Sequence, residues 1–502
     1  MTAVMAPRGI ALSTLLAGIC AVPPRFDRPI TGLALDSRRV VPGDCFFALK
    51  GTTAHGASFV GSAVAAGARV VLVEDLEVSP ELDVPVLKVE RLGAQVGAVA
   101  SRFFGAPSQA LDVAAITGTN GKTTVAHVAA QALSLLGARC GYLGTLGYGL
   151  VDALDPAGMT TPDPITFQRE LARLRDAGCV AVACEASSHA LTQHRLAGTA
   201  VDFAVLTGFG HDHLDYHATP ADYAAAKKRL FAFPGLAHAI LNCESALGRE
   251  IAAEIPEDVT VWTYGLGPQT AVPAHARRLW AESIEATPAG TRIAIATSRG
   301  RGRIASRLLG DFNVENSLAV LAILLARGTP LADACAVLGE IRPVPGRMDT
   351  FGGGDLPVVV VDYAHSPDSL ARVLTTLRAA KPAAISCVFG CGGDRDRTKR
   401  PLMGGIAERL ADRVIVTADN PRGEDNADIV REILEGMRRP AVVRVIHDRE
   451  AAIRTAIAEA ASDEIVLVAG KGHEREQILG ATMRAFSDQA IVAAALAERG
   501  HD

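Results

Sequence analysis

Residues 114–125 read Ala-Ala-Ile-Thr-Gly-Thr-Asn-Gly-Lys-Thr-Thr-Val. An apolar run of strand character enters a tight glycine turn, and Lys122 with two threonines then opens a helix. This succession starts a βα unit and builds a phosphate cradle. Backbone N–H groups of the turn and of the helix N-terminus point at the anion. Lys122 can reach the outer phosphates of a nucleotide, and the Thr123 hydroxyl can hold Mg²⁺. The common phosphate-loop pattern has a glycine five residues before Gly121. Ile116 stands there, so the loop is a shorter variant, Gly-x-x-Gly-Lys-Thr. Gly118, Thr119, Asn120, Gly121, Lys122, Thr123 and Thr124 are the candidate nucleotide contacts. The alternative is a chance glycine turn before a buried helix. The strand upstream and the helix downstream argue against it.

Around this stretch the 502 residues divide into three expected domains, 1–110, 111–342 and 343–502. The first alternates short strands (44–49, 69–73, 84–89) with Ala/Gly-rich helical stretches. The second continues from the phosphate loop with strand-like runs at 180–185, 203–206 and 238–242. Residues 291–296 alternate as an antiparallel strand does, and 313–327 reads as a helix closed by Gly328. A proline-rich link, Arg342-Pro343-Val344-Pro345-Gly346, leads into the third domain. Its apolar strands are predicted at 358–361, 385–389, 414–417 and 465–469, with helices over 369–380 and 448–460. Nearly continuous apolar strands alternating with helices imply parallel sheets covered on both faces. The fold class is therefore α/β, with two or three doubly wound units.

Composition sets limits. Hydrophobic residues at 49% and charged residues at 21% support large packed cores and argue against global disorder. A net charge of −5 argues against a general nucleic-acid binder, which needs a basic face, but leaves room for local basic pockets that take anionic substrates. Nine cysteines without metal-ligand spacing read as reduced core residues of a cytoplasmic protein. The apolar run 12–22 resembles a lipoprotein signal, but Ile19 stands where a small residue should, and the run is expected to form an N-terminal amphipathic helix. No apolar run reaches about 18 residues, so no membrane-spanning helix is expected.

Several constellations carry chemistry. Glu185 ends an apolar strand, at the sheet edge where ligands of open α/β folds bind. It could coordinate Mg²⁺ or orient water, or simply start a helix. His211-Asp212-His213-Leu214-Asp215-Tyr216-His217 suits metal or phosphate contact, or a polar surface loop. Thr219-Pro220-Ala221-Asp222 is a helix start, with a threonine N-cap and proline at N1. On its own chemistry Lys227 in that helix reads as an ordinary solvent-exposed lysine, as does Lys228.

Taken in order, Gly-Thr-Asn-Gly-Lys-Thr-Thr, Glu185-Ala-Ser-Ser-His189, Asp212-His-Leu-Asp-Tyr-His217 and Tyr223-x-x-Ala-Lys227 resemble the Mur ligase family. Those enzymes join an amino acid to a carboxylate with ATP. The resemblance spans roughly residues 33–474. It implies a three-domain architecture with a central phosphate-loop ATPase domain and a Rossmann-like C-terminal domain. Lys122, Glu185, His213 and Lys227 are then the catalytic set, with Lys227 carbamylated by CO₂. Carbamylation turns a cation into a carboxylate on a long arm. Thr123 and Glu185 would serve one Mg²⁺, and His213 and carbamylated Lys227 a second.

The resemblance implies further contacts. Asn313 and Asn316, in Gly310-Asp311-Phe312-Asn313-Val314-Glu315-Asn316, would lie on the adenine side of ATP, and Arg347 would meet phosphate after domain closure. Leu35 and Ser37, in Leu35-Asp36-Ser37-Arg38, together with Thr52 and Thr53, resemble the uridine-nucleotide contacts of the tripeptide-forming member. Thr160, Thr161, Ser187, Gln193 and Arg195 resemble its muramoyl-dipeptide contacts. Arg395, Asp419-Asn420-Pro421-Arg422, Gly470 and Glu474 resemble the amino-acid site of the version that selects meso-diaminopimelate, though on its own chemistry Asp-Asn-Pro reads as a turn after a strand. A guanidinium fork matches the second carboxylate of that amino acid bidentately.

The implied partners are UDP-N-acetylmuramoyl-L-alanyl-D-glutamate and meso-diaminopimelate, the implied cofactors are ATP and Mg²⁺, and a monomer is expected. Two positions depart from the pattern: Gly208 where asparagine is frequent, and His55 where aspartate is. A folate-polyglutamate ligase or another Mur step would share the ATP centre. A nucleotide-binding module or motor would need no amino-acid pocket.

Overall fold

The computed structural model describes residues 9–51, 55–74, 82–210, 216–268, 271–287 and 290–500. Among the described residues three larger sheets follow one another along the chain, with two two-stranded sheets outside them. The first has four parallel strands, in the order Gly32–Ala34, Asp44–Ala48, Val70–Val73 and Val86–Lys88. An antiparallel pair, Ile10–Ala11 with Pro29–Ile30, stands beside it. The apolar run expected as a longer amphipathic helix is only the turn Leu12–Leu15. Leu12, Leu15 and Leu16 are buried in the first domain's core. Gly18 at φ 70° and the following prolines leave no room for further turns.

The second sheet has eleven strands. The phosphate-loop strand, Asp112–Thr117, lies inside it, between Ala181–Glu185 and Phe203–Leu206, and both neighbours are parallel to it. Parallel pairing continues through His238–Asn242 and Thr260–Gly265 to Arg277–Thr287. There the sheet changes character. Arg277–Thr287, Gly290–Thr297 and Gly300–Ser306 form an antiparallel meander, as the alternation at 291–296 predicts. The helix Asp311–Ala326 is apolar on nearly every face because it is buried on nearly every face. Gly328, at φ 97°, ends it.

The third sheet runs Asp349–Gly352, Val358–Asp362, Ile465–Ala469, Ile385–Phe389, Arg413–Val416 and Arg444–Val445. All neighbours are parallel except the first pair. A hairpin outside this sheet, Glu476–Leu479 with Thr482–Ala485, has no counterpart among the sequence expectations. All nine cysteines are free. Among the described residues no helix is long and apolar enough to cross a membrane.

Parallel strands place their carboxyl ends on one edge. In the second sheet that edge carries the phosphate loop, Glu185 and Thr207. In the third it carries Asp362, Asp419 and Gly470. The two edges face each other across a cleft lined by residues of both domains, among them Gly121, Asn316, Arg347 and Arg372.

Candidate active site

The glycine turn needs glycine at both ends. Gly118 has φ 148° and Gly121 has φ 85°, and a Cβ on Gly121 would lie 2.5 Å from Asn316 Oδ1. Lys122 folds back over the loop, its Nζ donating to Gly118 O at 3.0 Å and Thr119 O at 3.1 Å. Asn316 stands against the loop. Asn313, expected on the same side of the nucleotide, lies one turn earlier on the same helix. It is buried behind Asn316, accepting from Asn316 Nδ2 at 3.0 Å and donating to Leu309 O at 2.9 Å.

Glu185 is buried, and its carboxylate collects donors. Tyr142 Oη reaches Oε1 at 2.7 Å and Thr145 N at 2.8 Å. Thr123 Oγ1 reaches Oε2 at 2.9 Å and Thr145 Oγ1 at 3.2 Å. Burial, and then the adjacent Glu185, raise the Tyr142 phenol well above its ordinary range, so it stays a donor. Tyr142 and Thr145 carried no motif. Only the pairing of Cys140–Gly144 with Ala181–Glu185 brings them here.

The same group continues into the expected dipeptide contacts. Thr161 Oγ1 donates to Glu185 O at 2.7 Å and accepts from Ser187 N at 3.2 Å. Thr160 Oγ1 accepts from Thr145 Oγ1 at 3.1 Å. Arg195 Nη1 donates to Thr161 O at 2.7 Å, while its Nη2 donates to Gln193 Oε1 at 2.7 Å. The structure therefore brings Thr160, Thr161, Ser187, Gln193 and Arg195 together next to Glu185. Ser37 opens a short 3₁₀ turn capped by the Asp36 carboxylate, and Leu35 packs on the first core. Arg39 of that turn lines a cleft with Tyr148, Met159 and Asp163 of the second domain. Thr52, Thr53 and His213 lie outside the described residues.

Lys227 overturns the reading of an ordinary exposed lysine. The helix Pro220–Lys228 starts as expected, with Thr219 Oγ1 accepting from Asp222 N at 3.1 Å. Its last turn then buries Lys227 to 1% exposure, the ammonium 4.2 Å from the Tyr223 ring centre. Tyr223 Oη lies 3.2 Å from Thr119 Oγ1 on the phosphate loop. Lys228 instead points outward and pairs with Glu250 and Glu254. Helical position separates two lysines that residue chemistry alone treats alike, and the buried one is the lysine of the Tyr-x-x-Ala-Lys motif. The oxygen donors of Thr123 and Glu185 beside a phosphate cradle fit Mg²⁺, which is held by few carboxylates and completed by phosphates and water.

Arg347 comes from the third domain and crosses to the loop. Its Nη2 donates to Thr123 Oγ1 at 3.3 Å, and its guanidinium lies 4.6 Å from the Tyr363 ring centre. Its Nε is buried without a hydrogen-bond partner. Burial pushes the Tyr363 phenol up to about 12 and the His473 imidazole down to about 3. Phe312, Glu315, Asp362, Asp368 and Arg372 also line the cleft, and sequence reading missed them. Asp362 could have been found, because it ends an apolar strand just as Glu185 does.

In the third domain Asp419, Asn420, Pro421 and Arg422 leave the strand Arg413–Val416 at its carboxyl end. Lys471 is fully buried and ties the group together, its Nζ donating to Asn420 Oδ1 at 3.1 Å and Glu474 Oε2 at 2.8 Å. Asn420 Nδ2 donates to Glu474 Oε2 at 2.8 Å. A Cβ on Gly470 would fall 2.5 Å from Asp419 Oδ2, so that crossing requires glycine. Arg422 has φ 52° and donates from Nη1 to Gly393 O at 2.8 Å. Arg395 is exposed on the adjoining loop. That loop is anchored where Glu424 accepts from Asp394 N at 2.7 Å. Hydrogen bonds from Arg400 hold the Glu424 carboxyl down at about 2.

Known proteins resemble this arrangement throughout. Residues 29–104 match the Mur ligase family catalytic domain, 116–324 the Mur ligase middle domain, and 346–472 the Mur ligase glutamate ligase domain. A UDP-N-acetylmuramoyl-L-alanyl-D-glutamate–2,6-diaminopimelate ligase of Pseudomonas aeruginosa is 47% identical over 464 residues, covering 92% of this chain and 94% of its own. One of the same name from Xanthomonas campestris is 45% identical, covering 98% of each chain. A solved structure of a ligase of that name superposes with a TM-score of 0.71 at 33% identity, over 98% of this chain and 100% of its own. The MurF ligase of Thermotoga maritima in complex with ADP shares the fold at 17% identity, with a TM-score of 0.61 over 93% of this chain and 96% of its own. By these matches along nearly its whole length, the chain belongs to the Mur ligase family.

Proposed function

We propose that this ligase adds meso-diaminopimelate to the D-glutamate carboxylate of UDP-N-acetylmuramoyl-L-alanyl-D-glutamate, using ATP, in peptidoglycan precursor synthesis in the cytoplasm. The observation that carries the reading is the near full-length relation to ligases of that name. Arg422, two residues after the Asn420 that pairs with Glu474, supports the amino-acid choice.

The substrate carboxylate attacks the γ-phosphorus of ATP and the bond to ADP breaks, leaving an acyl phosphate. The amine of diaminopimelate then attacks the acyl carbon. A C–N bond forms, the C–O bond to phosphate breaks, and the amine gives up its proton. The protein's share is alignment and charge neutralisation. Loop N–H groups and Lys122 hold the nucleotide phosphates, and Arg347 brings a second cation to the transferred group. Thr161, Ser187 and Arg195 seat the acceptor beside Glu185. Mg²⁺ held by Thr123 and Glu185 would offset phosphate charge, and a carbamate on Lys227 with His213 would hold a second ion.

The test is direct. Pure protein incubated with ATP, Mg²⁺, the muramoyl dipeptide and diaminopimelate should release ADP and lengthen the peptide by one residue. Lysine or glutamate offered instead should not support turnover. An unextended precursor from demonstrably folded protein refutes the reading.

A further inference from the structure

The face of the phosphate-loop helix Lys122–Leu135 that carries Thr123 also carries His127 and Gln131, one and two turns further on. Gln131 grips the backbone of Arg342 from both sides. Its Nε2 donates to Arg342 O at 3.1 Å, and its Oε1 accepts from Arg342 N at 3.1 Å. This reciprocal pairing is what two antiparallel residues make, here supplied by a side chain. Only one orientation of the carboxamide satisfies both backbone groups. His127 Nδ1, 3.0 Å from the same Nε2, supports that orientation as acceptor.

Five residues after Arg342 the chain returns to the same helix, where Arg347 Nη2 meets Thr123 Oγ1. Between these fastenings Val344 is fully buried in the second domain's core. Gly346 lies against the backbone of Gly472 and His473 in the third. Arg347 N closes a turn on Val344 O at 3.0 Å. The reach of Arg347 is therefore set jointly by where the chain is held at Arg342, at Val344 and at Gly346.

We propose that Gln131 is a positioning residue for Arg347. By fixing the linker to the phosphate-loop helix, it helps set the distance at which the guanidinium meets the transferred phosphoryl group. Gln131 itself touches no substrate. The inference rests on the ligation proposed above.

The experiment is a mutant cycle on ATP- and diaminopimelate-dependent ADP release. Gln131→Ala should lower kcat roughly tenfold, as small misplacements of an aligning group do, with the ATP KM within about twofold of wild type. Gln131→Glu keeps the acceptor for Arg342 N but sets a carboxylate against Arg342 O, and should fall at least as far. In an Arg347→Ala background, Gln131→Ala should add less than about a twofold loss, because coupled residues are not additive. A double variant whose loss is the product of the two single losses overturns the proposal. So does wild-type kcat in Gln131→Ala. If Gln131→Ala fails to fold, the cycle is read with Gln131→Glu. A wild type that forms no peptide fails the ligation reading as well, whereas an active wild type with silent Gln131 variants fails only the positioning role.

Discussion

Arg422 allows recognition to be separated from stability. Its backbone lies at φ 52°, a region costing an L-residue about 1–2 kcal/mol. Arg422→Gly relieves that strain. It loses the hydrogen bond to Gly393 O, about 1 kcal/mol, and adds about 0.5–1 kcal/mol of backbone entropy to be lost on folding. These terms nearly cancel, so the melting temperature should stay within about 4 °C of wild type. The backbone stays in register, because Arg422 N donates to Ile478 O at 3.2 Å and Arg422 O accepts from Gly480 N at 2.8 Å. Recognition has no such compensation. On the proposed role, losing a charge-assisted fork to the second carboxylate should cost about 2.8 kcal/mol, roughly a hundredfold rise in the diaminopimelate KM. The ATP KM should move less than about twofold. Arg422→Ala should show the same KM split with a lower melting temperature, since alanine keeps a Cβ in the left-handed region. The assays are ADP release with each substrate varied in turn, and a thermal melt. Equal rises in both KM values, or a collapse of the Arg422→Gly melt, refute the reasoning.

Lys227→Ala should cut turnover by at least about a hundredfold, with partial recovery in millimolar bicarbonate or a short carboxylic acid. Lys228→Ala, which removes only exposed pairs with Glu250 and Glu254, should keep wild-type turnover in the same assay. His127 is held down at about 4 by burial, so the folded state binds fewer protons than the unfolded chain between that value and about 6.5. Stability should therefore fall as pH drops through this window, by on the order of 3 kcal/mol from this group. Denaturant titrations of wild type and His127→Leu should show a difference that changes across the window and is flat above it. Arg449 and Asp488 form a fully buried pair that also holds Ala418 O and Ala469 O at the sheet edge. Asp488→Ala should cost about 3–5 kcal/mol by equilibrium unfolding, because it strands a buried guanidinium, while replacing both residues with apolar ones should recover most of that.

What could be read from the chain alone was whatever depends on near neighbours. Strand, glycine turn and helix at 112–135 follow from local pattern, as do the Thr219 cap and the stop at Gly328. Parallel strands too were legible, since burial on both faces leaves an unbroken apolar run. The antiparallel meander was glimpsed only at 291–296, and the hairpin Glu476–Ala485 not at all, because exposed alternating strands look like loops. At the site, Thr123 and Glu185 announce themselves by residue type at a helix start and a strand end, whereas Arg422 was named only through the family resemblance. Tyr142, Thr145 and Gln131 do not announce themselves, because their partners lie 43, 40 and 211 residues away. Lys227 and Lys228 are adjacent and chemically identical, and only packing of one helix face sends the first inward and the second to solvent. Local periodicity specifies which elements form. Which side chains meet is decided by sheet order and helix rotation, which sum contacts across the whole chain.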